Sequence, residues 1–212
     1  VEQGSRIDAS AITNGDGGKV IVWADNRTVF GGAILSRGGS AGGNGGVIET
    51  SGRGRLSVLK AAFADAAAPN GNAGTWLLDP RDVYLRTGVG DDVSGGGIYD
   101  PLMDDAAVDI NTILMALSGG TSVTITTHDV GGGQTGNIIF EDSINASTAG
   151  NATFTLLADS NILIGGHSIT SAGAMNIVME ARGLIQQTGG TMDSGGGAIS
   201  LRAQDMALGG II

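Results

Sequence analysis

The chain has 212 residues, including 39 glycines, three prolines and no cysteine, and its formal net charge is −10. The missing thiols exclude disulfides, zinc–thiolate sites and cysteine nucleophiles. An acidic chain whose only lysines are Lys19 and Lys60 is poorly suited to neutralising phosphates, which argues against nucleic-acid binding.

A hydrophobic share of 41% against 15% charged residues describes a folded chain. No segment is apolar for long enough to cross a membrane as a helix. The first residues, Val1-Glu2-Gln3-Gly4-Ser5, lack a basic-then-apolar leader and enter β-like sequence at once, as expected of a piece of a larger protein.

In chain order, residues 1–87 read as short strands separated by glycine-rich corners. The strands are Ile7-Asp8-Ala9, Lys19 to Ala24, Thr28-Val29-Phe30, Ala33-Ile34-Leu35, Val47 to Thr50, Leu56 to Leu59, Thr75 to Leu78 and Asp82 to Arg86. Trp23 and Trp76 lie within apolar runs and are expected to fill the interior. The glycine stretch Gly38 to Gly46 could cradle an anion with its amides. It lacks the Lys-Ser/Thr and the helix of a phosphate loop, so it reads as a structural corner. The alanine-rich run Ala61 to Ala68 is expected to be irregular after a strand.

Residues 88–122 break this register. A loop precedes one expected helix, Asp104 to Leu117, with apolar positions Val108, Ile110, Ile113, Leu114 and Leu117 and a stop at Gly119-Gly120. Such an insertion would pack over the side or end of the strands and cover a strand edge.

Residues 123–212 return to strands: Val123 to Thr127, Asn137 to Glu141, Ser143 to Ala146, then three aligned units. Ala158, Ala181 and Ala203 recur about every 22 to 23 residues, a repeat-protein period. Each alanine follows a short alternating strand, Phe154-Thr155-Leu156, Ile177-Val178-Met179 or Ile199-Ser200-Leu201, whose first and third residues would stack inside. Three short strands per repeat predict an all-β chain, a right-handed parallel β-helix with one helical insertion, continuous through all three regions.

Several segments carry a family resemblance. They are Gly17 to Asp25, Arg37-Gly38-Gly39, Gly45 to Gly52, Ala68 to Gly71, Gly74 to Pro80, and the helix with Leu117 to Ile125. Together they resemble the passenger region of filamentous haemagglutinin-type exoproteins exported by two-partner secretion. The resemblance implies a segment of a secreted or cell-surface bacterial fibre that adheres to cells or surfaces. The implied partners are an outer-membrane transporter during export and a surface receptor or glycan, with no membrane insertion.

The chemistry-bearing residues are sparse. His128 and His167 fall in different repeats, so neither pattern nor spacing suggests a catalytic histidine. Asp91, Asp92, Tyr99, Asp104 and Asp105 form the possible ligand-binding set, all on the 88–122 insertion. Their carboxylates could hold calcium, although no calcium-loop pattern is present, and no cofactor is otherwise expected. A non-enzymatic adhesive shaft is the leading expectation. The alternatives are a glycan-binding module and a polysaccharide-cleaving enzyme using paired acids.

Overall fold

The computed structural model describes residues 1–52, 54–89, 106–127, 135–147 and 152–209. Its first circuit lays down β1 (Arg6–Asp8), β2 (Lys19–Ala24) and β3 (Arg27–Phe30). The second contributes β4 (Ala33–Leu35), β5 (Val47–Gly52) and β6 (Arg55–Val58), and the third β7 (Phe63–Asp65), β8 (Thr75–Asp79) and β9 (Val83–Arg86). Next come β10 (Ala106–Asp109), the helix α1 (Ile110–Ser118), β11 (Ser122–Thr126) and β12 (Ile138–Phe140). Three further circuits hold β13 (Ile144–Ala146), β14 (Thr153–Ala158) and β15 (Ile162–Gly165), then β16 (Ile169–Ser171), β17 (Asn176–Ala181) and β18 (Leu184–Gln187), and finally β19 (Met192–Asp193), β20 (Ile199–Arg202) and β21 (Asp205–Leu208).

Strands of successive circuits stack on their counterparts, with β10 inserted between β6 and β9. One seven-stranded sheet runs β2-β5-β8-β11-β14-β17-β20, and an eight-stranded sheet runs β21-β18-β15-β12-β9-β10-β6-β3. Two three-stranded sheets, β1-β4-β7 and β13-β16-β19, complete the set. All these pairings are parallel. The chain is therefore all-β, in parallel sheets with one helix, consistent with the expected β-helix.

Two repeat lengths coexist. In the tail, equivalent residues are 23 or 22 apart, as the recurring alanines predict. In the first half they are 28 apart, so that Asp16 accepts from the Asn44 amide and Asn44 in turn from the Asn72 amide. The extra residues sit in the glycine corners. A Cβ on Gly46 would overlap the Gly18 carbonyl oxygen, and one on Gly74 would overlap that of Gly46. The corners thus touch through bare backbone. Their amides are consumed by this stacking: Gly39 donates to Gly15 O at 2.9 Å, Gly45 to Asn72 O at 2.9 Å and Gly46 to Ser36 O at 2.7 Å. The Gly38 to Gly46 stretch is a structural corner, as its sequence suggested.

The interior is a set of side-chain columns. Phe154 lies over Ile177 and Ile199, and Leu156 over Met179 and Leu201, with Thr155, Val178 and Ser200 in the outward row. In the first half, Trp76 is fully buried beside Phe30, their rings edge-on at 6.0 Å. Its indole N–H donates to Thr50 Oγ1 at 2.9 Å, which satisfies the only polar atom this large side chain brings inside. Trp23 does not share this role. In β2 it falls on the outward phase with Lys19 and Ile21 and is 52% exposed, which corrects the expectation that it fills the core.

The helix is set into the wall rather than laid over a side or an end. It packs against β7 on one flank and β13 on the other, standing where a strand would stand in the fourth circuit. A helix about 10 Å across occupies roughly two strand spacings of about 4.8 Å. The neighbouring face gains the matching width from β10, which enters out of order between β6 and β9. The alanine-rich run explains how the helix fits. Its middle, Phe63–Asp65, forms β7, and Ala64 on that strand and Ala62 and Ala66 at its two ends are all buried where α1 packs.

The helix starts later than its periodicity suggested. Ala106–Asp109 is a strand, and Asp109 is the N-cap, its Oδ1 accepting from Asn111 N at 2.9 Å. Its Oδ2 accepts from Val89 N at 2.9 Å, so one buried carboxylate ties the helix to the end of the third circuit. The predicted stop holds. Gly119 is the C-cap and Gly120 adopts φ +84°, the left-handed turn that glycine allows.

Gly46→Ala should lower unfolding stability by about 2 kcal/mol or more, because backbone must move to admit the methyl. Gly166→Ala, where an added Cβ meets nothing within 4 Å, should stay within about 0.5 kcal/mol of the parent. Urea titrations of both variants check the contrast, and equal losses would contradict the stacked-corner account.

Candidate functional site

The residues singled out by sequence, Asp91, Asp92, Tyr99, Asp104 and Asp105, fall in 90–105 and lie outside the described residues. So does His128. The flanks of that segment are anchored. Val89 is buried, donating to Asp109 and accepting from Lys60 N at 3.0 Å, and Ala106 N donates to Asp82 O at 3.1 Å. His167 is half-buried at a corner of the fifth circuit, where its carbonyl accepts from Gln187 Nε2 at 3.3 Å.

A groove of about 600 Å³ lies where the seven-stranded sheet turns toward the eight-stranded one. Its floor is built by register. Leu157, Glu180 and Arg202 occupy one outward row on β14, β17 and β20, so Glu180 and Arg202 are direct cross-strand neighbours. One residue past the β14 and β17 alanines stand Asp159 and Arg182, which pair at 3.3 Å. Thr127 closes one side, its hydroxyl donating to Gly136 O at 2.7 Å and accepting from Asp159 N at 3.2 Å. This arrangement offers alternating carboxylate and guanidinium groups along the stacking direction. It suits hydrogen bonding to an extended polar ligand. Among the described residues the lining contains no histidine.

Sequence inspection aligned Ala158 with Ala181 but passed over the charged residues beside them. The signal was their equal offset from the repeated alanines, which places Asp159 and Arg182 at one corner and Glu180 just before it.

Two acids elsewhere, Glu141 and Asp142, hold neighbouring circuits together. Glu141 faces Arg86 at 3.6 Å. Asp142 accepts from both the amide and the hydroxyl of Thr87, each at 2.8 Å. The Thr87 amide and then its hydroxyl hold the Asp142 carboxyl below the usual carboxylate value, with a smaller contribution from nearby His167. Asp8 is lowered to about 2, chiefly by its hydrogen bond from Arg6. A carboxyl held ionised by such donors serves as an anchor rather than as an acid.

No protein-family model matches the chain, and no curated protein matches it.

Because the Asp142 pKa is depressed on folding, its contribution is present above the ordinary carboxylate range and is lost as pH falls through the lower folded value. Thr87→Ala should raise the Asp142 pKa toward the ordinary value of 3.8, read by carboxyl NMR titration. The same variant should lose stability at neutral pH but little at acid pH. An unmoved titration curve would refute the assignment.

Proposed function

We propose that this chain is a non-enzymatic stretch of adhesive shaft, coiled as a right-handed β-helix within a secreted bacterial surface fibre. The observation that carries this reading is the sameness of successive circuits. Apolar columns run through the interior, and polar corner ladders run alongside. Asp82 Oδ1 accepts from Asn137 N at 2.7 Å, Asn137 Oδ1 from Asn161 Nδ2 at 2.9 Å, and Asn161 Oδ1 from Leu184 N at 2.8 Å. Ser143 and Ser168 repeat the device at another corner, each accepting at 3.0 Å from an amide one circuit on.

An array in which each unit contacts only its neighbours lengthens without redesign, which suits a spacer. Parallel strand crossovers almost always take the right-handed sense, which supports that hand for the coil. The quoted glycine and tryptophan motifs support a filamentous haemagglutinin-type exoprotein with an outer-membrane two-partner transporter. A cysteine-free chain also suits export unfolded. Attachment to a cell-surface receptor or glycan would occur on outward faces and on the 90–105 segment, where Asp91, Asp92, Tyr99, Asp104 and Asp105 reside.

The charged groove favours a second reading, a glycan-binding module. Polysaccharide cleavage is less favoured, because Asp159 of the groove is already engaged by Arg182.

Beads coated with the chain should adhere to epithelial cells or to glass above an albumin control, and incubation with polysaccharides should release no fragments by mass spectrometry. Saturable glycan-array binding abolished by Glu180→Gln with Arg202→Gln would favour the groove. Loss on Asp91→Asn, Asp92→Asn and Tyr99→Ala would favour the segment. Fragment release would overturn the non-enzymatic reading.

A further inference from the structure

Three arginines meet in a chain whose overall charge is strongly negative. Arg27 opens β3, Arg55 opens β6 and Arg81 lies on the turn between β8 and β9, so three successive circuits each supply one guanidinium at the same corner. Arg27 and Arg55 are paired in register on neighbouring parallel strands. The corner that brings them together is tight. Arg55 N donates to Asn26 O at 2.8 Å, and a Cβ on Gly54 would overlap that same carbonyl. With Asn26 and Gly54 the arginines line a hollow of about 440 Å³.

Arginine cannot shed its proton, so a guanidinium that is partly shielded from water calls for an acceptor. Among the described residues, neither Arg27 nor Arg81 has an ion-pair partner. The Nε atoms of both are shielded from solvent and lack a hydrogen-bond acceptor. Buried donors are ordinarily satisfied, so two orphaned N–H groups lining one hollow indicate a missing acceptor.

We propose that this corner is a binding site for a tetrahedral oxyanion, sulfate or phosphate, either as the free ion or as a monoester carried on a larger molecule. Guanidinium groups supplied by different circuits, Arg27 and Arg81, can address oxygens on different sides of a tetrahedral anion. The bound anion would also bridge Arg27 of the first circuit and Arg81 of the third, so occupancy should stiffen the first three circuits. The site is separate from the charged groove, and its fate does not bear on the fibre reading.

Calorimetry of the full chain at low ionic strength tests this, with sodium sulfate, sodium phosphate and glucose 6-phosphate as probes and chloride as background. The expected result is saturable binding of one ion per chain and a rise in melting temperature. Arg27→Gln and Arg81→Gln should each weaken binding by roughly tenfold, the scale expected for a lost charge-assisted pair. Arg37→Gln makes the same charge change at an arginine paired with Asp65, and should bind as the parent does. Arg27→Lys keeps the charge without the planar fork and should fall between, which separates ligand loss from misfolding. Glucose 6-phosphate binding comparable to phosphate would assign the site to a monoester. Binding of the free ions alone would assign it to an inorganic anion. No saturable binding by the parent, or an equal loss in Arg37→Gln, would overturn the proposal.

Discussion

The constraint on which the rest depends is the parallel register between circuits. Each strand must lie about 4.8 Å from its counterpart along its whole length, and the corners must keep the same spacing although they have no regular ladder. The molecule meets this demand in two ways. Where backbone passes directly over backbone, as at Gly46 and Gly74, no side chain fits. Where a side chain is present, Asp, Asn or Ser turns its oxygen to the amide one circuit on, as at Asp16, Asn44, Asn137, Asn161, Ser143 and Ser168. Both devices hold the vertical spacing at the points where sheet hydrogen bonding lapses.

The same constraint explains the interruption at the centre. A helix is too wide to replace a single strand, so the wall could admit α1 only if the adjoining face widened as well. β10 supplies that width, and Asp109 couples the two changes by capping α1 while holding Val89. The seven-stranded sheet gains no strand, since β8 pairs directly with β11. The helix is thus accommodated on two faces while the third continues unbroken, and the buried alanines on and beside β7 reduce what must be moved aside.

Much of this was legible in the residues. Alternation located most strands, and the inward columns of the tail followed from Phe154, Ile177 and Ile199 recurring in phase. The 28-residue spacing of the first half was harder to see, because its corners are long and glycine-rich and its strands differ from one another in inward residues: Val20, Ile48, Trp76. Trp23 misled because β2 is apolar on both phases, so alternation does not say which side faces in. Ala106–Asp109 fits helical and extended periods alike, and its pairing with β6 and β9 is a long-range fact. The functional residues were least visible. Arg27, Arg55 and Arg81 are far apart in the chain, and only the stacking of circuits makes them neighbours.

The placement of β10 has a consequence for how the molecule assembles. In an ordinary stacked array, order along the chain is order in space, and each new circuit can dock on a finished template. Here the second and third circuits meet directly on the seven-stranded face, yet on the adjoining face a slot between β6 and β9 waits for residues 106–109. Ordering from the amino-terminal end therefore cannot finish one layer before starting the next. The first three layers stay incompletely zipped until a later segment returns to close them. Contacts of greater sequence separation slow folding, so this slot is a built-in pause, and β10 with its helix is the clasp that ends it.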